Sequence, residues 1–150
     1  MGALFANNKP VRRVRLMPNL TYDPPVRAAT GATFLQSIRY TGPADELIAH
    51  ARWLAAADPS HGVIQILDFT VTPPHRRQGH GHFLMESLTT QARDYFAQRK
   101  LRLRRAWMAI EQKHQVIARS FLMQFAFNHV GTVQELLKRE DLLIYMRTFD

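Results

Sequence analysis

The chain has 150 residues, a formal net charge of +8 and no cysteine, which excludes a disulfide framework, a thiolate zinc site and a cysteine nucleophile. Hydrophobic residues make up 46% and charged residues 21%, the balance of a single soluble domain, and no apolar run reaches the roughly eighteen residues of a membrane span. The basic excess points to an anionic partner and sits mostly in the second half, where residues 75–150 hold thirteen Lys/Arg against seven Asp/Glu.

The N-terminus, MGALFANNKPVRR, has no long apolar stretch behind its charges. Neither a secretory signal nor an anchor is expected there, Met1 to Lys9 reads as a loose end, and the default compartment is cytoplasmic. All eight prolines fall at or before Pro74, so the first half is punctuated by loops and the second carries longer elements. Val11 to Leu16 and Thr33 to Tyr40 read as strands. Leu47 to Ala57 is ambiguous: its alanines and the spacing of Leu47, Ala51, Leu54 and Ala55 suit a helix, while the turns TGPAD and DPSHG around it equally suit a meander. Val63 to Val71, rich in Val, Ile and Phe, has the composition of a strand buried on both faces.

After Gly81 the period changes. Leu84, Met85, Leu88, Ala92, Tyr95 and Phe96 recur at helical spacing up to about Arg99, and Arg104 to Glu111 follows as a strand. Strand, helix, strand over this length is a βαβ unit with parallel strands. Between them, Arg99, Lys100, Arg102, Arg104 and Arg105 form either a nucleic-acid stripe or a solvated turn. No aromatic stacking pattern interleaves the run, so nucleic acid is not the expected partner. A second helix pattern spans Gln115 to Phe125, and two strands, Val130 to Val133 and Leu142 to Thr148, close the chain around the polar loop KRED.

The segment VTPPHRRQGHGHF, Val71 to Phe83, links the buried strand to the first helix. The opening turn of a helix exposes N–H groups without intrahelical partners. Gly79 and Gly81 can take up positive φ and let a ligand approach the main chain, and Arg76 and Arg77 add positive charge. A phosphate or diphosphate is the natural guest, although a lone Gly-x-Gly before a helix is equally compatible with a plain loop. His75, His80 and His82 lack a carboxylate at ligand spacing, so no metal site is expected.

The run Val71-Thr72-Pro73-Pro74-His75-Arg76-Arg77-Gln78-Gly79-His80-Gly81 resembles the acetyl-CoA diphosphate loop of the GNAT superfamily of N-acetyltransferases, whose pattern is Arg or Gln, two residues, Gly, one residue, Gly or Ala. Gln115, Ala118, Phe121 and Phe125-Ala126-Phe127 partly resemble a second family motif, in which an Asn, an Ala, a Leu-Tyr pair and a closing Gly-Phe are usual. The resemblance runs from about Glu46 to the C-terminus. It implies a single-domain α+β fold with a mixed, mostly antiparallel central sheet and a βαβ unit at the cofactor site, and it favours Leu47 to Ala57 as a strand. The family has two helices between its first two strands. The roughly sixteen residues available here imply that this part is reduced.

The same resemblance implies an acetyl-CoA-dependent N-acetyltransferase acting on a primary amine. Main-chain groups of Phe69, Thr70 and Val71 would take the pantetheine arm, the segment Arg76, Arg77, Gln78, Gly79, His80, Gly81 and His82 would take the diphosphate, and Gln115 would stand at the family's Asn position. Asp68 and Glu111 are the candidate catalytic bases; Asp68 is alternatively a structural carboxylate paired with an arginine or a backbone donor, and Glu111 is one residue out of step with the family pattern. The tyrosine that commonly protonates the departing thiolate falls at Leu122, with His114 and His129 as stand-ins. The acceptor, a small molecule or a protein, and the oligomeric state, a homodimer included, are left open. A non-catalytic acyl-CoA-binding or basic nucleic-acid-binding module on the same fold is the alternative.

Overall fold

The computed structural model describes residues 19–23, 26–27, 33–56, 58–137 and 140–150. They form one eight-stranded sheet and two α-helices: β1 (Asn19–Tyr22), β2 (Val26–Arg27), β3 (Thr33–Thr41), β4 (Leu47–Ala56), β5 (Val63–Val71), α1 (His80–Ala97), β6 (Arg105–Glu111), α2 (Gln115–Gln124), β7 (Asn128–Leu137) and β8 (Glu140–Thr148). The strand order is β1-β3-β4-β5-β6-β8-β7, with β2 also on β3. β5 and β6 are parallel, as the βαβ reading requires, and every other pairing is antiparallel. The proposed strand Val11 to Leu16 and the loose end Met1 to Lys9 lie outside the described residues.

The ambiguous stretch is a strand, against its local propensity. In β4, Ala49, Ala51, Trp53 and Ala55 alternate and are fully buried. They line the face on which α1 rests: Trp53 Nε1 donates to Gln91 Oε1 at 2.9 Å, and its ring meets Tyr95 edge-on. Small alanines let the helix close onto the sheet, so a period of two that served burial prevails over alanine's intrinsic helical preference. From α1 itself, Leu84, Met85, Leu88, Ala92 and Phe96 enter the same core. The burial of large side chains such as Leu88 and Phe96 stabilises by about 1.5–3 kcal/mol each.

β1 and β2 run along one edge of β3, and only residues 28–32 separate β2 from β3. Within residues 17–32, where the family has two helices, the described residues form β1 and β2 instead. The closing hairpin is longer than the sequence suggested. β7 and β8 pair up to Leu137↔Glu140, so the connection shrinks to residues 138–139, and Glu140 and Asp141 of the KRED stretch belong to the strand. Glu140 stands 3.8 Å from Lys113 Nζ.

Both helices end on a left-handed residue that is not glycine. After α1, Lys100 (φ 58°) donates to Ala97 O at 2.9 Å and Leu101 to Phe96 O at 2.9 Å. After α2, Ala126 (φ 60°) donates to Met123 O at 3.1 Å and Phe127 to Leu122 O at 3.0 Å. These are helix-ending turns in which glycine is usual, because a Cβ in the left-handed region costs about 1–2 kcal/mol. Gly62 (φ 66°) has no such freedom of replacement: its carbonyl accepts from the N–H groups of Arg104 and Arg105, and a Cβ there would stand 2.3 Å from the Arg102 carbonyl oxygen.

These two positions give opposite expectations. Ala126→Gly should stabilise the protein by about 1 kcal/mol, raising Tm by about 2–4 °C for a chain of this size. Gly62→Ala should destabilise it by about 2–5 kcal/mol, combining left-handed strain with a backbone overlap. Scanning calorimetry checks both signs.

Candidate active site

β5 and β6 are hydrogen-bonded only from Val63↔Arg105 to Gln65↔Trp107. Beyond that rung they part, although each stays fully paired to its other neighbour, β5 to β4 and β6 to β8. The fork coincides with a β-bulge: Trp53 pairs with Ile66 but Arg52 pairs with Asp68, so Leu67 is an extra residue in β5. That residue reverses the phase of the strand. Without it Asp68 would point toward the helices; with it Phe69 and Val71 do, opposite Ala51 and Ala49, while Asp68 and Thr70 join Arg52 and His50 on the other face. The main-chain edge of Phe69, Thr70 and Val71 that looks toward β6 is therefore open.

The glycine loop stands at the wide end of this fork. Arg77 (φ 58°) and Gly79 (φ 84°) are both left-handed, and the two turns curl residues 77–79 into the start of α1. The first helical closure is Phe83 N–H to Gly79 O at 3.2 Å. Among the described residues the amides of Gly79, Gly81 and His82 have no acceptor, as expected of a helix N-terminus facing a guest.

The two glycines have different tasks. Gly79 supplies the left-handed turn, and a Cβ on it would meet nothing within 4 Å. Gly81, expected to share that freedom, does not use positive φ, because it already lies in the right-handed first turn of α1. Its missing Cβ instead makes room for neighbours, since a Cβ would stand 3.2 Å from the Phe121 ring and 3.5 Å from Val71 Cγ2. Phe121 stacks near Phe69 and Phe125, so β5, α1 and α2 converge on this point.

The side chains of the loop are largely engaged within it. Arg76, expected to supply charge to a guest, donates from Nε to Val71 O at 3.0 Å and so ties the loop to the strand end. Gln78 Nε2 donates to Pro74 O at 3.2 Å. His82 meets Glu86 at 3.0 Å and packs on Phe125, and His80 packs between the rings of Tyr40 and His75. Arg77 stays exposed.

Both candidate bases lie on the face opposite the helices, one on each arm of the fork. Asp68 is ion-paired with Arg52 across the β4–β5 ladder, both side chains being 39–46% exposed. An ion pair this open to water contributes about 0.2–1 kcal/mol, so a competing cation can displace Arg52 at small cost. Glu111 ends β6 and pairs with Lys113 Nζ at 2.8 Å, with Glu140 and His114 also at hand. The hydrogen bond and charge of Lys113 hold its carboxyl below the usual carboxylate range. That favours a permanently ionised group over one that cycles a proton near neutrality.

Sequence reasoning missed His50 and Arg52, which lay in the stretch whose secondary structure was undecided. His50 pairs with Thr70, diagonal to Asp68, and its Nδ1 is buried with no partner among the described residues. Gln115 opens onto a different depression of about 210 Å³, lined with Arg119, Met123, Phe127, Asn128, His129 and Tyr145. Leu122 is 2% exposed and faces the core. His114 and His129 are exposed, and His129 Nε2 is 3.1 Å from Thr132 Oγ1.

The model of the Acetyltransferase (GNAT) family matches residues 7–127. Solved structures share the fold at low identity. Nourseothricin acetyltransferase superposes with a TM-score of 0.63 at 18% identity, over 76% of this chain and 65% of that one. The ribosomal-protein-S18-alanine N-acetyltransferase of Escherichia coli gives 0.60 at 17%, over 75% and 67%. A Klebsiella pneumoniae protein assigned to the acyl-CoA N-acyltransferases gives 0.66 at 12%, over 89% and 98%. No curated protein matches the sequence.

The Glu111–Lys113 pair has a measurable consequence. Because the folded carboxyl is held low, the pair is intact above the ordinary glutamate value of about 4.3, and it is lost only as pH falls through the lower folded value. A carboxyl-carbon NMR titration should place the Glu111 midpoint below that of an unpaired glutamate, and Lys113→Ala should return it to the ordinary range.

Proposed function

The chain belongs to the acetyltransferase (GNAT) family, and on that premise we propose that it transfers an acetyl group from acetyl-CoA directly to a primary amine. The observation that carries this reading is the fork of β5 and β6 opening beside the unpaired amides at the start of α1. The orphan N–H groups and the open space over Gly79 suit a diphosphate, and the free edge of Phe69, Thr70 and Val71 suits a pantetheine arm bound like an added strand. Backbone, rather than the side chains of Arg76, Arg77, Gln78, His80 and His82, supplies most of these contacts. When bound, acetyl-CoA supplies an activated thioester carbonyl.

The chain's own contribution is to position and to manage one proton. An amine at the fork would approach from the open face, where Asp68, Arg52, His50 and Thr70 are presented and no helix covers the sheet among the described residues. Asp68 attracts the incoming ammonium in place of Arg52. His50, beside Thr70 on this face, takes the proton that the amine must lose before it attacks. Glu111 keeps its charge and supports the electrostatics of the opposite arm. Leu122 has no proton to give, so solvent reaching the open face protonates the departing thiolate. The acceptor is a neutral or anionic molecule carrying a primary amine, because a chain of net charge +8 repels polycations at long range.

Calorimetry with acetyl-CoA and a free-thiol assay over a panel of amines test the reading. Gly79→Ala strains the loop by about 1–2 kcal/mol without a clash, and Gly81→Val drives a branched side chain into Phe121; the double variant should lose acetyl-CoA binding at least tenfold. Undiminished affinity would refute the assignment of the loop.

The two groups on the open face can be separated by kinetics. Asp68→Asn should raise KM for the amine and leave acetyl-CoA affinity unchanged. His50→Gln should lower kcat about 10²–10⁴-fold, the usual contribution of a general base. An unaltered kcat in that variant would eliminate His50 as the base.

A further inference from the structure

At the end of the sheet opposite the fork, six cations lie on three segments, Arg147 on the helical face with Ala106 and Arg105 on the open face. Leu101 to Arg104 runs extended after α1, so that Leu103 is buried in the core and Leu101 packs against it, while Arg102 and Arg104 project to solvent. Lys100 precedes this strip and Arg105 continues it, both exposed. The strip is pinned against Gly62, whose carbonyl binds the Arg104 and Arg105 amides. On its flank Arg93 of α1 and Arg147 of β8 stand over the Phe149 ring, at 5.3 and 4.4 Å from its centroid.

None of the six makes an ion pair among the described residues. Asp58 accepts from the Ser60 N–H. Arg147 is pushed below its ordinary range by burial and by the like charge of Arg93, with no carboxylate opposing them. Lys100, moreover, holds a left-handed position at which glycine would be relaxed, so a cation is kept where folding alone favours none.

We propose that this end of the sheet, Lys100, Arg102, Arg104 and Arg105 flanked by Arg93 and Arg147, binds the phosphodiester backbone of RNA without regard to sequence. Repeated phosphates need only a row of cations, which the strip presents. A protein partner would require an apolar centre to its interface, and here the leucines are turned inward. The 18 residues of α1 separate the surface from the glycine loop, about 27 Å at 1.5 Å per residue. That exceeds the screening length of about 8 Å at physiological salt, so the two sites act independently and the inference does not rest on the acetyl-transfer reading.

The test is fluorescence anisotropy of a labelled 20-nucleotide RNA of mixed sequence, titrated with the full chain between 50 and 200 mM KCl. Binding in the micromolar range is expected at the lower salt, weakening with added salt. An Arg102→Gln, Arg104→Gln, Arg105→Gln variant should flatten the log–log salt slope by about 2, three contacts at about 0.7 each. The matching triple Arg→Lys variant should retain the slope. Lys100→Gly, which relieves backbone strain, should weaken binding while Tm does not fall, separating contact from fold. Acetyl-CoA affinity should be unchanged in every variant. Absence of RNA binding at 50 mM KCl, or an unaltered slope in the Gln variant, would overturn the proposal. So would tighter binding of poly-glutamate than of RNA, which would make the surface a dock for an acidic protein.

Discussion

The structure depends on the single rung after which β5 and β6 stop pairing. Parallel neighbours in the middle of a sheet normally satisfy each other along their length, and here the pairing ends at Gln65↔Trp107 while both strands continue. The extra residue Leu67 turns β5 away, and the convergence of Phe69, Val71, Gly81 and Phe121 keeps the gap propped from the helical side. An unpaired strand edge inside a sheet is an unsatisfied row of donors and acceptors. Its natural complement is an extended ligand that restores the missing bonds.

The same bulge sorts the chemistry. By shifting the phase of β5 it sends the apolar Phe69 and Val71 to the helices and the polar Asp68 and Thr70 to the open face. The fork therefore has a side that can shelter an apolar arm and a side that can receive a polar acceptor. Among the described residues no helix covers that second side. A binding surface open to water favours exposed, exchangeable ion pairs such as Arg52–Asp68 over tightly buried ones. Positive charge is partitioned as well. In the glycine loop Arg76 is spent on Val71, while Arg93, Lys100, Arg102, Arg104, Arg105 and Arg147, without an ion pair among the described residues, lie toward the other end of α1.

Left-handed residues show how far such demands reach into the backbone. Gly62 and Gly79 occupy that region without strain, but Arg77, Lys100 and Ala126 occupy it with a side chain. At Ala126 the family's closing glycine has been replaced with no evident gain. At Arg77 and Lys100 the strained residue is a cation at a surface suited to phosphate, and the cost has a chemical counterpart.

The amino-acid sequence by itself determined the βαβ unit, the position of the glycine loop before α1 and the identity of α1, because each rests on local periodicity and on glycine chemistry that operates within a few residues. It also carried the shortening of the N-terminal half, since chain length alone forbids two helices in so few residues. Local propensity did not determine β4, where alanine favours a helix until α1 arrives to cover Ala49, Ala51 and Ala55 and only the family resemblance favoured a strand, nor did it determine the separate tasks of Gly79 and Gly81, which depend on how close Phe121 comes from another helix. The bulge at Leu67, the partner of Asp68 and the placing of His50 beside Thr70 were decided only by the tertiary structure. Strand register is a relation between segments distant in the chain, and one extra residue in a ladder reverses which side chains meet.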